Sequence, residues 1–104
     1  MSSESGSQLL ESIAVIDSTK ASIYLKKFCR HFSHKLPTEF DDNHGYVAYP
    51  SGSCNLTAKD GQLIFKLQSE NNELIAKLED VVARHMERFA FRDEIKVRWQ
   101  RQTG

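Results

Sequence analysis

The stretch of the sequence richest in potential chemistry is KKFCRHFSHK, residues 26–35, which holds four strong cations, two histidines and one cysteine. Imidazole and thiolate groups bind transition metals, whereas lysine and arginine bind anions. Within these ten residues, the polar and apolar side chains are spaced as in an amphipathic helix. The stretch is therefore a candidate metal site, a candidate anion-binding face, or a helix with a charged outer side.

A helical projection separates the cysteine from the histidines. At 100° per residue, Cys29 and His31 point about 160° apart, so they cannot bind one ion from the same helix. His31 and His34 are about 60° apart and could share an ion, but transition-metal sites normally need three or four ligands. His44, in a predicted turn, is a candidate third ligand. The alternative is that both imidazoles are simply solvated.

The predicted helix carries positive charge without compensation, because no Asp or Glu lies between Ser18 and Pro37. Its cations occupy one face, opposite an apolar arc that contains Phe28 and Cys29. This face predicts a binding surface for an anionic ligand or partner, with an aromatic residue at its apolar border. The candidate residues are Tyr24, Lys27, Arg30, His31, His34 and Lys35.

A second helix, predicted for residues 72–90, places His85 inside its apolar arc. A buried imidazole needs a hydrogen-bond partner, because leaving it unpaired costs about 1–3 kcal/mol. One interpretation is a core histidine bonded to Tyr46, to Tyr49 or to a backbone carbonyl. A second is a Cys/His metal or redox cluster with Cys54, to which Cys29 could be added, and a third is a role in a ligand pocket.

The common catalytic motifs are absent from the sequence. There is no P-loop, no G-x-S-x-G, no G-x-G-x-x-G and no H-E-x-x-H. A thiol in the core would have a raised pKa and poor access, which disfavours a cysteine nucleophile. We therefore expect a protein that is not an enzyme and has no cofactor, with a bound metal as the alternative at His31, His34, Cys54 or His85.

Composition narrows the class of protein. The 104 residues include 14 Lys plus Arg and 14 Asp plus Glu, so the net charge is zero, which disfavours nucleic acid as a partner. No apolar run approaches the roughly 20 residues that cross a bilayer, and the N-terminus does not resemble a signal peptide. With only two cysteines, a reducing cytoplasm is expected and no membrane partner. Residues 1–8 are predicted to be a disordered lead, 9–101 one domain, and 102–104 a loose tail.

Hydrophobic patterning predicts an α+β fold. Strands are expected at residues 11–17, around Phe40, at 45–50, 53–59, 62–68 and 94–101, with one helix from about 18 to 35 and the other from 72 to 90. The first helix is expected to be capped by Asp17 or Ser18, and the second by Ser69 or Asn71. Asp60-Gly61 is a strong hairpin signal, and residues 41–45 form a predicted turn in which Asn43 and Gly45 are able to take positive φ. Since alternation makes one sheet face apolar, we predict a two-layer sandwich of a mostly antiparallel sheet with both helices on one face, in the order βα-ββββ-αβ.

Three segments of the chain resemble a known family: YLKKFCRHFSHKLPTEFDD, GSCNLTAKDGQLIFKL and LEDVVARHMERFAFRDEIKVRWQ. Together they are similar to the small bacterial domain-of-unknown-function 2218 family, over residues 12–100. The motifs of the family fall on Cys29, Arg30, His31, His34, Lys35, Gly52, Cys54, His85, Arg88 and Phe89. Three of these residues, Cys54, His85 and Arg88, form a possible core polar cluster.

The resemblance implies a role rather than an activity. Similar domains occur beside siderophore-interacting ferric reductase domains, which implies an accessory part in iron–siderophore handling. The expected partner is then an anionic small molecule such as a ferric siderophore, or a reductase. The alternatives are a transition-metal or redox protein using His31/His34 or Cys54/His85, and a homodimeric interaction module. Such a module would use an exposed sheet face that carries Lys59, Lys66, Lys96 and Arg98.

Overall fold

A computed structural model describes residues 9–102 of the chain. It contains six strands and two helices, with one short 3-10 turn at Phe91–Asp93. The predicted lead and the last two residues lie outside the described part, while Gln102, assigned to the predicted tail, closes the last strand. In chain order the elements are β1 Leu10–Asp17, α1 Ala21–Phe32, β2 Thr38–Phe40, β3 His44–Tyr49, β4 Gly52–Lys59, β5 Gln62–Ser69, α2 Asn72–Phe89 and β6 Gln100–Gln102.

The sheet is antiparallel throughout and has the strand order β2-β3-β4-β5-β1-β6. Hairpins join β3 to β4 and β4 to β5, the second through Asp60-Gly61, both of which have positive φ. The long connection through α2 brings the C-terminal end of the chain back to β1. The predicted fold class and element order are confirmed.

Both helices cover one face of the sheet. Alternate residues of the strands point into the core that the helices close, among them Cys54 and Leu56 on β4 and Phe65 and Leu67 on β5. Phe28 lies at the centre, with its ring centroid 5.4 Å from that of Phe65. Within the described residues, no helix lies against the opposite sheet face, which is polar with scattered apolar residues, as the alternation predicts.

The helix ends differ from prediction at α1 and agree at α2. Helix α1 begins at Ala21 without a side-chain cap, because Ser18 instead accepts the N–H of Lys20 in the preceding turn. It ends at Phe32, and residues 33–35 continue as hydrogen-bonded turns. Helix α2 has the predicted cap, since the Asn71 side chain accepts the N–H of Leu74 at 2.9 Å.

The last strand is shorter than predicted. Ladder pairing to β1 is confined to Gln100–Gln102, and residues 95–99 form no strand. The predicted alternation nevertheless holds there, because Ile95, Val97 and Trp99 pack against the core. The carboxylate of Glu87 accepts the Val97 N–H at 3.0 Å, which replaces a ladder hydrogen bond by a side-chain bond to α2.

Gly45 has a packing role rather than a turn role. Neither it nor Asn43 has positive φ, although both residue types can adopt it. Gly45 lies within β3, where a Cβ atom would come within 2.6 Å of the Cys29 Sγ. The missing side chain is therefore what allows α1 to lie close to the sheet at this point.

Candidate functional site

The two helices meet along a seam of aromatic and imidazole rings. Near the end of α1, the His31 ring lies 4.9 Å from that of Phe32 and 5.5 Å from that of Phe89 on α2 (centroid distances). The His85 ring of α2 lies 5.2 Å from the His31 ring and 4.9 Å from the Phe32 ring. Two histidines that are 54 positions apart in the sequence are thus neighbours on the surface.

His85 is half-buried at this seam rather than enclosed in the core. Its Nδ1 lies 2.7 Å from the Val81 carbonyl oxygen, one turn earlier on α2. Of the partners expected from the sequence, the backbone carbonyl is confirmed and the tyrosine hydroxyls are wrong. Because a carbonyl can only accept, Nδ1 carries the proton, and in the neutral ring Nε2 keeps its lone pair.

His31 is exposed but surrounded by positive charge. Partial desolvation lowers its pKa, and the nearby His85, Lys35, His34 and Arg88 lower it further. The cause of the second effect is repulsion between cations, since protonation of His31 would add one more positive charge. The His31 imidazole is therefore held in its neutral form more strongly than a free histidine.

We use the name cationic surface for the exposed cations on the outer side of α1 and in the turns after it, together with Arg88 of α2, which lies near His31: Lys27, Arg30, His34, Lys35 and Arg88. All five are exposed, and within residues 9–102 none of them makes an ion pair. The Arg30 guanidinium lies over the Phe40 ring at 5.9 Å from its centroid, which directs it along the β2 edge.

Two other cations, one in α1 and one just before it, form ion pairs with acids that are distant in the sequence, which the local sequence could not indicate. Lys26 pairs with Asp42 at 3.2 Å, and Lys20 pairs with Asp93 at 3.6 Å. The uncompensated charge is therefore concentrated toward the C-terminal half of α1 and the turns that follow it.

Tyr24 is not a binding residue at the border of this surface, contrary to the sequence prediction. It is buried, and its hydroxyl donates a hydrogen bond to the Asp93 carboxylate. This bond, burial and the negative charge of Asp93 raise the pKa of Tyr24 to about 12. Asp93 was not singled out by the sequence, and its position after α2 offers no periodic signal that could have found it.

The predicted core polar cluster of Cys54, His85 and Arg88 does not form. Cys54 is fully buried, His85 is at the seam and Arg88 is exposed. The neighbour that acts on Cys54 is instead Cys29, which together with burial raises its pKa. Burial raises the pKa of Cys29 to about 11, although a hydrogen bond from the Tyr46 N–H opposes the shift. Both thiols are free and neutral.

Metal-ligating side chains are not gathered into a conventional site in the described part of the chain. Between residues 9 and 102, no group of three or more His, Cys, Asp or Glu side chains is placed to hold an ion. His44, the candidate third ligand, is the first residue of β3 and lies beside Asp41. What the structure does bring together is His31 and His85, a pair that sequence reasoning missed because it projected each helix separately.

The sheet surface proposed for dimerisation is only partly as expected. Lys59 and Lys66 belong to β4 and β5, and Lys66 pairs with Glu11 at 3.5 Å. Lys96 and Arg98 are exposed but lie in the segment before β6, outside the ladder.

No helix among residues 9–102 is long and apolar enough to cross a membrane.

Comparison with known proteins places this architecture in context. The chain is similar to a protein from Pseudomonas aeruginosa whose solution structure is known, PA4090, with a TM-score of 0.73 and 25% sequence identity over 88% of this chain and 95% of that one. Among curated proteins, no sequence matches the chain. The profile of the DUF2218 family, described as an uncharacterized protein conserved in bacteria, matches residues 13–100. Because that match spans most of the chain and the family resemblance seen in its motifs agrees with it, this protein belongs to the DUF2218 family.

Proposed function

We propose that this chain is a non-enzymatic cytoplasmic binding domain whose cationic surface binds an anionic small molecule. The observation that carries the proposal is the concentration of Lys27, Arg30, Lys35 and Arg88 without an ion pair among residues 9–102. The chain as a whole is neutral, so this concentration is a local feature and not a consequence of composition.

The arrangement suits a ligand with spread negative charge. Arginine presents several donors to carboxylate or catecholate oxygens, and lysine adds flexible point charges. The apolar edge provided by Phe40 beside Arg30 suits an aromatic or alkyl part of the same ligand. Ferric siderophores combine these properties, and the family resemblance favours them, so we propose a ferric siderophore as the ligand and an accessory role beside a reductase.

The proposal is tested by titrating the full chain with a ferric catecholate siderophore, following quenching of Trp99 fluorescence. Lys27→Glu and Arg30→Glu are compared with Lys59→Glu, an exposed lysine at the far end of β4. Reversing an exposed charge next to the ligand is expected to cost about 0.5–2 kcal/mol, which is roughly a two- to thirtyfold rise in Kd.

The matched control distinguishes the loss of a contact at the cationic surface from a general effect of the changed net charge. We expect Lys59→Glu, which changes the net charge equally, to leave the Kd within about twofold of the original value. Absence of binding, or equal effects of the three substitutions, would contradict the cationic surface as the binding site.

A further inference from the structure

The neighbouring imidazoles of α1 and α2 have a geometry that the cationic surface does not require. The centroids of His31 and His85 are 5.2 Å apart, and their planes are inclined by 48°. In a tetrahedral zinc site, with metal–nitrogen bonds of about 2.0–2.1 Å, the centroids of two imidazole ligands lie about 5 Å apart. The observed centroid spacing therefore matches the spacing of two imidazole ligands of one ion.

His85 is also oriented as metal-binding histidines usually are. Such residues commonly donate the N–H of the second ring nitrogen to a backbone carbonyl or a carboxylate, which holds the ring and exposes the other nitrogen. The Nδ1 of His85 lies 2.7 Å from the Val81 carbonyl oxygen, so Nε2 is the nitrogen left for an ion. Phe32 and Phe89 pack against the two rings and restrict their rotation.

From this pair we propose a second binding site, for a borderline divalent ion such as Zn²⁺ or Cu²⁺, with His31 and His85 as the protein ligands. Imidazole suits both ions. Two protein ligands leave coordination positions for water or for an anion. Because Lys35, His34 and Arg88 lie near His31, the complex most favoured is one in which the ion carries a carboxylate, phosphate or hydroxide.

The proposed metal site is independent of the siderophore proposal. It uses a pair across two helices, whereas the within-helix pair His31/His34 and the pair Cys54/His85 are the alternatives that the sequence suggested. Cys54 is fully buried in the core, where its electrostatic neighbour is Cys29, while His34 lies in the turn after α1. Replacing one histidine at a time distinguishes the pair His31/His85 from these two alternatives.

The test is a titration of the untagged full chain with Zn²⁺, by calorimetry and by NMR of the imidazole nitrogens. We expect one site, with shifts of the ring nitrogens of His31 and His85. Loss of even an outer-shell partner commonly costs tenfold or more in metal affinity. His31→Ala and His85→Ala should therefore each weaken binding by at least about tenfold.

The control variants are His34→Ala, the neighbour on the same chain segment, and His44→Ala at the start of β3. Both should bind Zn²⁺ with a Kd within about twofold of that of the original chain. No binding at millimolar Zn²⁺, or a loss with His34→Ala that equals the loss with His85→Ala, would overturn the proposal. If His85→Ala does not fold, His31→Ala, at an exposed position, still decides the question.

The two proposals fail separately. Lys27→Glu and Arg30→Glu are expected to weaken siderophore binding while leaving Zn²⁺ binding unchanged or tighter, because they add negative charge near the pair without altering a ligand. Zn²⁺ binding without siderophore binding would support the metal site and contradict the proposed function. Siderophore binding without Zn²⁺ binding would support the proposed function and contradict the metal site.

Discussion

At the scale of single residues, two tyrosines show how similar side chains can have opposite energetics. The Tyr24 hydroxyl bonds to Asp93, whereas the Tyr49 hydroxyl is buried and has no partner among the described residues. Burial raises the pKa of Tyr49, and the nearby Cys54 and Cys29 raise it further. A buried hydroxyl without a partner loses its hydration and regains nothing, so Tyr49 is a locally unfavourable feature of the core.

Replacing the two tyrosines by phenylalanine should therefore have different effects on the free energy of unfolding. Tyr49→Phe removes only the unpartnered group, and we expect stability to stay equal or to rise by up to about 1 kcal/mol. Tyr24→Phe removes the bond to Asp93 and should lower stability. Urea denaturation of both variants measures the difference, and a marked loss for Tyr49→Phe would mean that its hydroxyl has a hydrogen-bond partner in solution.

At the scale of elements, one carboxylate ties three of them together. Glu79 of α2 accepts the Ser12 hydroxyl of β1 at 2.6 Å and receives two bonds from the Arg101 guanidinium of β6, at 2.8 and 3.0 Å. Ser12 is fully buried, and Glu79 is only 13% exposed. The bonds from Arg101 and then Ser12 lower the pKa of Glu79, because they favour the charged carboxylate. This bond set fixes the short last strand at the sheet edge.

Replacing Glu79 by glutamine should lower stability by about 1–3 kcal/mol at neutral pH, since charge-assisted bonds to a partly buried group are lost. The pKa of Glu79 is lower in the folded state than in the unfolded state. Its stabilisation is therefore complete above the ordinary glutamate pKa and disappears as the pH falls through the folded-state value.

The measurement is urea denaturation of the original chain and Glu79→Gln at a series of pH values from about 7 down to 3, the lower part of which spans the ordinary glutamate pKa. The difference in unfolding free energy should shrink steadily across the acidic range. A difference that stays constant with pH would show that the lost contribution is packing and not the ionised carboxylate.

At the scale of the whole molecule, the fold depends on a core that both helices and the sheet share. Phe28 of α1 is fully buried and contacts rings from every layer: Phe32 in its own helix at 4.9 Å, Phe65 of β5 at 5.4 Å and Phe89 of α2 at 6.3 Å between centroids. The same packing holds α1 against α2, so the positions of His31 and His85 depend on it.

Phe28→Ala should reduce the free energy of unfolding by about 3–5 kcal/mol, because it removes a large buried side chain and leaves a cavity among three aromatic rings. Ile23→Ala is the matched control on the same helix, since Ile23 is 56% exposed and should cost less than about 1 kcal/mol. Thermal melts of the two variants measure the contrast. Equal losses of stability in the two variants would mean that the buried face of α1 is not the one that carries Phe28.

The sequence predicted the features that depend on local order. Alternation located β4 and β5, Asp60-Gly61 located their turn, and Asn71 located the start of α2. It was less reliable where a tertiary contact competes with a local preference. Gly45, with its flanking polar residues, resembles a turn glycine but is needed for the approach of Cys29. Residues 95–99 alternate as a strand does, but Glu87 binds the Val97 N–H and the ladder begins only at Gln100.

The sequence by itself determined the two-layer fold and the cationic side of α1, because periodicity and charge along one element are local properties of the chain. Only the tertiary structure decided which charges remain unpaired and which imidazoles meet. Asp42 and Asp93 neutralise part of α1 from distant positions, and the packing of α2 across α1 brings His85 to His31. These relations depend on how helices pack on a shared core, and no single-element projection contains that information.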